Sequence, residues 1–369
     1  MKAWILHGVN DIRLETVDIP MPGYGEVLVK VKAAGICGSD IQRVYGTGAH
    51  VYPLIIGHEF SGDVVEVGKD VENTWIGNRV GIYPLVPCGS CIPCQRKEYE
   101  LCRNYSYLGS RRNGGFAEYA VVPAENIMEL PSQMTYEEAA MLEPMAVAVH
   151  AMRRIAVSKS ETIVVCGLGT IGMLLLMFLL EAGESGEKVF RQCSYESLFG
   201  EFCGKILVIG NKESQKRRAV KMGLHEDHYC DSRTQPVEKW LPEHTDEKGA
   251  DVFFECVGKN ETFVQAVNHT APGGKVVLIG NPYSDMKLDR DVYWKILRNQ
   301  LTVTGTWNSS FTHNRWDDWH YATDRMIQKR VNPAELISHR FSLEDLMQGM
   351  EIMRDKTEEY VKILFASFD

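Results

Sequence analysis

Residues 162–172 read TIVVCGLGTIG, a short β-branched run that leads into a glycine-rich turn and then into an apolar stretch typical of a helix. In that setting the first glycine permits a tight turn, the second lets a pyrophosphate approach the backbone, and the third lets the helix pack on the strand. The beginning of the helix favours the anion. The stretch therefore predicts a dinucleotide-binding unit, with cofactor contacts at Gly167, Gly169, Thr170, Ile171 and Gly172.

Strand and helix patterns alternate downstream of this stretch. Short apolar strands are indicated at 206–209, 251–255, 275–279 and 301–304, with helical patterns at 213–222 and 261–268. This alternation indicates a parallel sheet, so we predict an α/β, doubly wound Rossmann-type domain over 149–305. An insertion at 183–204 interrupts it, and a surface insertion, a lid and an oligomer contact are all compatible with its length.

The residue after the second strand of such a domain bears on the choice between NAD and NADP. An NAD site normally has Asp or Glu there, which binds the ribose 2′-hydroxyl. This sequence has Asn211, followed by Lys212 and, in the next helix, Arg217. The missing carboxylate removes repulsion against a 2′-phosphate, and Lys212 is placed to pair with one. Lysines near a helix start are mostly solvated, however, so both cofactors stay open.

The first part of the chain has a different pattern of predicted secondary structure. Residues 27–31 and 62–67 read as short strands separated by turns, which predicts a mostly β domain over 1–148. Helix and strand patterns return after residue 305. We expect residues 306–369 to complete this first domain.

Composition limits the function classes. The chain has 369 residues, enough for two domains, and its formal charge of −9 argues against a nucleic acid or an anionic membrane as partner. The sequence shows no signal-peptide pattern and no apolar run long enough to span a bilayer. A chain of this length needs no disulfide staples, so we expect its ten cysteines to be reduced thiols in a cytoplasmic protein.

Four cysteines fall close together, at Cys88, Cys91, Cys94 and Cys102. Four thiolates within reach of one ion form the closed tetrahedral site that structural zinc prefers. An iron–sulfur cluster is the competing interpretation, because ferredoxins also use Cys-x2-Cys-x2-Cys. Two other cysteines, Cys166 and Cys256, lie in or beside predicted strands and are expected in the core.

A dispersed set of residues offers ligands for a catalytic zinc, which keeps one coordination position open. The set consists of Cys37, His58, Glu59 and, further along, Glu143. Glycines precede both Cys37 and His58 at short distance. Asp40 is predicted to accept the free ring N–H of His58 and fix its tautomer, and Ser39 offers a hydroxyl that can pass a proton.

Six motifs in this order resemble the zinc-dependent medium-chain dehydrogenase/reductase family: CGSD at 37–40, GHEFSG at 57–62, the four-cysteine loop, GGFAEY at 114–119, Glu-Pro at 143–144 and GLGTIG at 167–172. The similarity is greatest to the polyol branch, which includes sorbitol and galactitol-1-phosphate dehydrogenases, and covers the chain apart from the insertion. It implies a GroES-like catalytic domain, a catalytic zinc at Cys37 and His58 with Glu59 and Glu143 at or near the metal, and a structural zinc in the four-cysteine loop.

The resemblance further implies hydride transfer between a secondary hydroxyl of a polyol or polyol phosphate and NAD(P). We also expect a homodimer or homotetramer. Many alcohol dehydrogenases of the family have a histidine three residues after the proton-passing hydroxyl, where Gln42 stands here; His50 or bulk water would then take the proton. A phosphorylated substrate would need a nearby cation, for which Arg111, Arg112 and Arg298 are the candidates.

Three other functions fit part of the pattern. A zinc-ribbon binding module explains the four-cysteine loop but not Cys37, His58 or the glycine-rich turn, and it would have a basic surface. A zinc-free reductase of the same fold would lack both the four-cysteine loop and the Cys37–His58 pair. A dehydrogenase of steroids or hydrophobic secondary alcohols would carry the same motifs, so the sequence leaves the substrate open.

Overall fold

The computed structural model describes residues 1–157, 160–185, 204–282 and 284–367. The chain divides into two compact units, one formed by Met1–Ala146 with Ser309–Asp369 and the other by Val147–Asn308. The predicted boundaries differ from these by two or three residues. Residues 186–203, which make up most of the predicted insertion, lie outside the described residues. Within the described part, no helix has both the length and the apolar character needed to cross a bilayer.

Strands and α-helices occur in both units. The strands are β1 Lys2–Gly8, β2 Asp11–Thr16, β3 Glu26–Ile36, β4 Leu54–Ile55, β5 Glu59–Val67, β6 Arg79–Ile82, β7 Leu85–Val86, β8 Ser106–Tyr107, β9 Tyr119–Pro123, β10 Ile127–Glu129, β11 Ile163–Cys166, β12 Ile206–Gly210, β13 Tyr229–Asp231, β14 Ala250–Glu255, β15 Thr270–Leu278, β16 Thr302–Gly305, β17 Ile337–Phe341 and β18 Lys362–Ala366. The α-helices are α1 Gly38–Tyr45, α2 Ile92–Gln95, α3 Tyr136–Ala140, α4 Leu142–Arg153, α5 Thr170–Ser185, α6 Glu213–Lys221, α7 Val237–His244, α8 Asn260–His269, α9 Arg290–Arg298, α10 Asp318–Ile327 and α11 Leu346–Asp355.

The first unit is mostly β, with a main sheet in the order β10-β6-β5-β3-β18-β17 and β9 paired to β3. Its pairs are antiparallel except for β17 with β18. Strand β3 is central because it pairs with three neighbours, and its side chains Val27, Val29 and Val31 are buried. Strand β18 comes from the end of the chain, so residues more than 300 positions apart meet at β3.

The second unit contains a six-stranded sheet in the order β13-β12-β11-β14-β15-β16, and all of its pairs are parallel. Helices connect most successive strands, and Val164, Leu207, Phe253 and Val276 are fully buried in its core. The predicted α/β class with a doubly wound parallel sheet is confirmed. The strand order reverses between β11 and β14, and a crevice for a ligand is expected at the carboxyl ends of the strands at such a point.

Candidate catalytic site and cofactor pocket

Two paired strands bring Cys37 and His58 together. Strands β3 and β5 run antiparallel, with Gly35 opposite Glu59. Cys37 follows the end of β3 and His58 precedes the start of β5, so their side chains meet at the same end of the pair. One potential ligand atom from each of Cys37, His58 and Glu59 lies within 4.8 Å of the others. His58 and Glu59 are buried and Cys37 is partly exposed, which leaves an access route to the cluster.

Two glycines make this arrangement sterically possible. Gly57 has a φ of +93°, and a Cβ at this position would overlap the ring of Phe116. A Cβ on Gly35 would overlap the carboxylate of Glu59 and the side chain of Lys362. The glycines noted in the sequence before Cys37 and His58 are therefore required by close approach, and Gly57 also by its backbone angle.

Asp40 ties the first turn of α1 to the cluster. Its Oδ2 accepts a hydrogen bond from the Cys37 backbone N–H at 3.0 Å, which caps the helix, and its Oδ1 accepts one from Arg43 at 2.6 Å. The same Oδ1 lies 3.4 Å from His58 Nδ1. That buried nitrogen has no partner with hydrogen-bond geometry among the described residues. Asp40 and His58 therefore face each other as predicted, but their separation is longer than that of a good hydrogen bond. Arg43 also contacts Asp40, which the sequence did not indicate.

Lys362 is a site residue that no sequence pattern indicated. Its ammonium forms an ion pair with Glu59 Oε2 and donates to the Ile36 carbonyl oxygen at 3.0 Å. The side chains of Lys362 and Glu59 are 1% and 2% exposed, so both charges are withdrawn from water. A buried ion pair of this kind fixes the position of the carboxylate.

Glu143, in the first turn of α4, is buried near this cluster but lies outside the closely spaced group of Cys37, His58 and Glu59. Tyr107 donates a hydrogen bond from its hydroxyl to Glu143 Oε1 at 3.1 Å, and its ring centroid is 5.8 Å from that of His58. The four predicted residues are thus in one region, with Tyr107 as a further member.

Burial and neighbouring charges shift the pKa values of Glu143 and His58 in directions that favour a cation in this cluster. Burial raises the pKa of Glu143 to about 7, against an opposing effect of His58 and with a further contribution from Glu59. Burial acts to lower the pKa of His58, but Asp40 and Cys37 outweigh it and hold that pKa well above its ordinary value. A bound dication would take the place of the proton that these acidic ligands attract.

The four-cysteine loop is gathered around one point. The Sγ atoms of Cys91 and Cys94 are 3.4 Å apart, while those of Cys88 and Cys94 and of Cys91 and Cys102 are 3.9 Å apart. Four sulfurs at about 2.3 Å from a tetrahedral zinc are about 3.8 Å from one another, so the spacing fits a single ion. Hydrogen bonds from backbone N–H groups, with that of Ser90 first, lower the pKa of Cys88 to about 6, which favours the ligating thiolate. All eight cysteines in the described residues are free thiols, which fits metal binding here.

The glycine-rich turn lies at the carboxyl end of β11, at the reversal of strand order. Gly167 has a φ of +94°, and helix α5 begins at Thr170. A Cβ on Gly172 would collide with the Gly167 carbonyl oxygen, whereas one on Gly169 would meet open space. That space belongs to a cavity of about 400 Å³ that extends from the glycines to Gly210 and Asn211. These are the features that a pyrophosphate and ribose require.

The ribose end of this cavity contains Asn211 but neither Lys212 nor Arg217 among its lining residues. Gln215 is a member that the sequence did not indicate: it accepts from the Asn211 backbone N–H at 3.0 Å and donates to the Leu168 carbonyl oxygen at 3.0 Å. It thereby connects the second strand end to the glycine-rich turn. Cys256, expected in the core, is partly exposed at this cavity, whereas Cys166 is buried as expected.

The three arginines considered for a phosphate have different surroundings in the structure. Arg112 forms an ion pair with Glu26 at 2.6 Å, and Arg298 lies at the end of α9 in the second unit. The guanidinium of Arg111 stacks over the ring of Tyr105 at 4.3 Å. The ring of Tyr105 in turn lies edge-on to Tyr107 at 6.2 Å, so aromatic contacts connect Arg111 to the cluster.

The sequence and the fold are similar to those of known proteins. A family model described as "Alcohol dehydrogenase GroES-like domain" matches residues 23–132, and one described as "Zinc-binding dehydrogenase" matches residues 201–328. Galactitol 1-phosphate 5-dehydrogenase of Escherichia coli K12 is 31% identical over 325 residues, which are 88% of each chain. Sorbitol dehydrogenase of Bacillus subtilis 168 is 28% identical over 371 residues, which are 99% of this chain and 96% of that one.

Among solved structures, a putative zinc-binding dehydrogenase from Sinorhizobium meliloti 1021 bound to NADP is similar, with a TM-score of 0.84 and 28% identity over 99% of both chains. The similarity thus extends through both matched regions.

Proposed function

Because the chain belongs to the zinc-binding medium-chain dehydrogenase family, whose chemistry uses zinc and NAD(P), we propose that it transfers hydride between a secondary hydroxyl of a polyol or polyol phosphate and NAD(P). The observation that carries the proposal is the convergence of Cys37, His58 and Glu59 within 4.8 Å, with Glu143 nearby. A thiolate, an imidazole and carboxylates are the donor set of a catalytic zinc.

The catalytic roles follow from the contacts. Zinc, when bound, supplies Lewis-acid chemistry that lowers the pKa of a hydroxyl group held at its open position. Asp40 faces Nδ1 of His58 and so directs Nε2 toward the metal. Lys362 fixes the carboxylate of Glu59. Ser39, partly exposed in the first turn of α1, passes the substrate proton outward, to His50 or to bulk water.

We assign the catalytic role to residues 1–148 with 306–369 and cofactor binding to 149–305. All the proposed catalytic ligands belong to the first of the two compact units, and the glycine-rich turn belongs to the second. The proposed cofactor contacts are Gly167, Gly169, Thr170, Ile171, Gly172 and Asn211, to which Gln215 is added. Lys212 and Arg217, outside the lining of the cavity, have at most an indirect part.

Arg111 supports a phosphorylated substrate. Its guanidinium is held by Tyr105, which contacts the Tyr107 ring beside His58, whereas Arg112 is engaged by Glu26. A stacked guanidinium keeps its edge donors available for the oxygens of a phosphate. We therefore propose that a polyol phosphate is a better substrate than the corresponding polyol.

A panel of polyols, polyol phosphates and hydrophobic secondary alcohols, each with NAD and NADP, tests the proposal. We expect kcat/KM to be highest for a polyol phosphate and to fall at least about 10-fold in Arg111→Met, with little change for the unphosphorylated polyol. Arg112→Met is the matched control. Highest activity on a steroid or other hydrophobic alcohol would reject the polyol substrate while leaving the dehydrogenase class intact.

A second copy of the chain is the proposed partner. In the described residues β16 pairs only with β15, and its outer edge is open, with exposed side chains along the strand. On α9, the side chains of Tyr293, Trp294 and Leu297 are 52%, 56% and 51% exposed. An open strand edge, preceded in the chain by a helix with exposed apolar side chains, fits pairing with an identical edge about a two-fold axis.

Sedimentation analysis checks the assembly. The wild-type protein is expected as a homodimer or homotetramer, and the double variant Trp294→Glu with Leu297→Glu as a smaller species. A wild-type monomer at micromolar concentration would reject the interface. Cytoplasmic location remains a prediction from the cysteine content.

A further inference from the structure

We infer that the Tyr107 hydroxyl is a positioning group for Glu143, one that determines which carboxylate oxygen Glu143 presents to the metal and substrate. The inference rests on the proposed function. Its basis is a single hydrogen bond from Tyr107 to Glu143 Oε1 at 3.1 Å, the only one that the described residues make to this carboxylate.

Glu143 differs in this respect from Glu59. An ion pair with Lys362 holds the carboxylate of Glu59 in place. The carboxylate of Glu143 has no such ion pair among the described residues, and the last side-chain torsion of a glutamate is broad and roughly two-fold unless a contact restrains it. A donor on Oε1 removes this freedom. It leaves Oε2 as the oxygen free to approach a cation or a substrate hydroxyl.

The position of Tyr107 is itself well supported. It ends strand β8, which pairs with β7, with Leu85 opposite Tyr107. The four-cysteine loop lies between these two strands, so the structural zinc site closes the hairpin that carries Tyr107. Its ring also contacts His58, at a centroid distance of 5.8 Å and an angle of 58°. The pairing of β7 with β8 and the ring contact with His58 thus hold the hydroxyl next to Glu143.

Tyr107→Phe tests the inference because it removes the hydroxyl and keeps the ring that contacts His58. In the protein with zinc replaced by Co²⁺, the visible bands that disappear in Cys37→Ser belong to the catalytic site. We expect Tyr107→Phe to shift those bands and to make the metal about 10-fold easier to remove by a chelator. Tyr83→Phe is the control, because it also removes a buried tyrosine hydroxyl. That hydroxyl donates to the Ser309 carbonyl oxygen at 2.9 Å and not to Glu143. This control is expected to leave the bands unchanged.

The outcomes are distinguishable. Unchanged bands and chelator sensitivity in Tyr107→Phe, with normal bands in the wild type, would overturn the positioning role and leave the proposed function standing. Equal band shifts in Tyr83→Phe and Tyr107→Phe would show a general structural effect and would also overturn it. A wild-type protein without any Cys37-dependent Co²⁺ band would overturn both the inference and the proposed function.

Discussion

Removal of the Lys362 ammonium should destabilise the first unit strongly. Lys362→Met leaves the carboxylate of Glu59 buried without its partner and the Ile36 carbonyl oxygen without its donor. Loss of one member of a buried ion pair costs about 3–5 kcal/mol. For a unit of about 200 residues this corresponds to a fall in Tm of about 6–20 °C.

Lys2→Met is the matched control. Lys2 pairs with Glu344 at 2.6 Å, but the two side chains are 49% and 47% exposed. Water screens an exposed pair of this kind, so its loss should lower Tm by much less than the loss of the Lys362 ammonium. Differential scanning calorimetry of the zinc-loaded protein measures both variants, and the transition of the first unit is the relevant one. A fall in Lys362→Met no larger than that in Lys2→Met would refute the reasoning.

Three further predictions concern the cofactor, the structural metal and pH. Asn211→Asp should raise the ratio of kcat/KM for NAD to that for NADP at least about 10-fold, because it supplies a carboxylate to the ribose end of the cavity; an unchanged ratio would contradict this placement. Cys91→Ser should reduce the metal content from about two zinc ions per chain to about one, while Cys166→Ala keeps both. The hydrogen bond from the His320 ring N–H to the Asp317 carboxylate raises the pKa of His320, so this pair stabilises the fold below the ordinary histidine pKa and loses the effect as pH rises through the raised pKa. The fall in Tm from pH 6 to pH 9 should therefore be smaller in His320→Gln, and an equal fall would contradict the assignment.

The sequence was informative where chemistry is contained in a short stretch. Gly167 has the positive φ and Gly172 the close backbone approach that the glycine spacing, with a strand before it and a helix after it, predicts. The metal site of the four-cysteine loop can also be predicted from the sequence, because its four ligands lie within one connection between two strands. The doubly wound sheet followed from the alternation of strands and helices.

The sequence was less informative where partners come from distant strands. Lys362 is 303 residues from Glu59, and only the pairing of β18 with β3 brings them together. No local pattern distinguishes this lysine from a solvated one. Tyr107 likewise reaches Glu143 through tertiary packing, and Arg111 differs from Arg112 only through the side chains that each contacts.

The catalytic zinc centre is tested most directly by the zinc content of Cys37→Ser, measured together with its turnover. The wild-type protein should contain about two zinc ions per chain, and the variant about one, because the four-cysteine loop keeps its ion while the Cys37 and His58 site loses its thiolate. Hydride transfer to NAD(P) should then fall to the background rate. Retention of both zinc ions with turnover near that of the wild type would contradict the proposed catalytic centre.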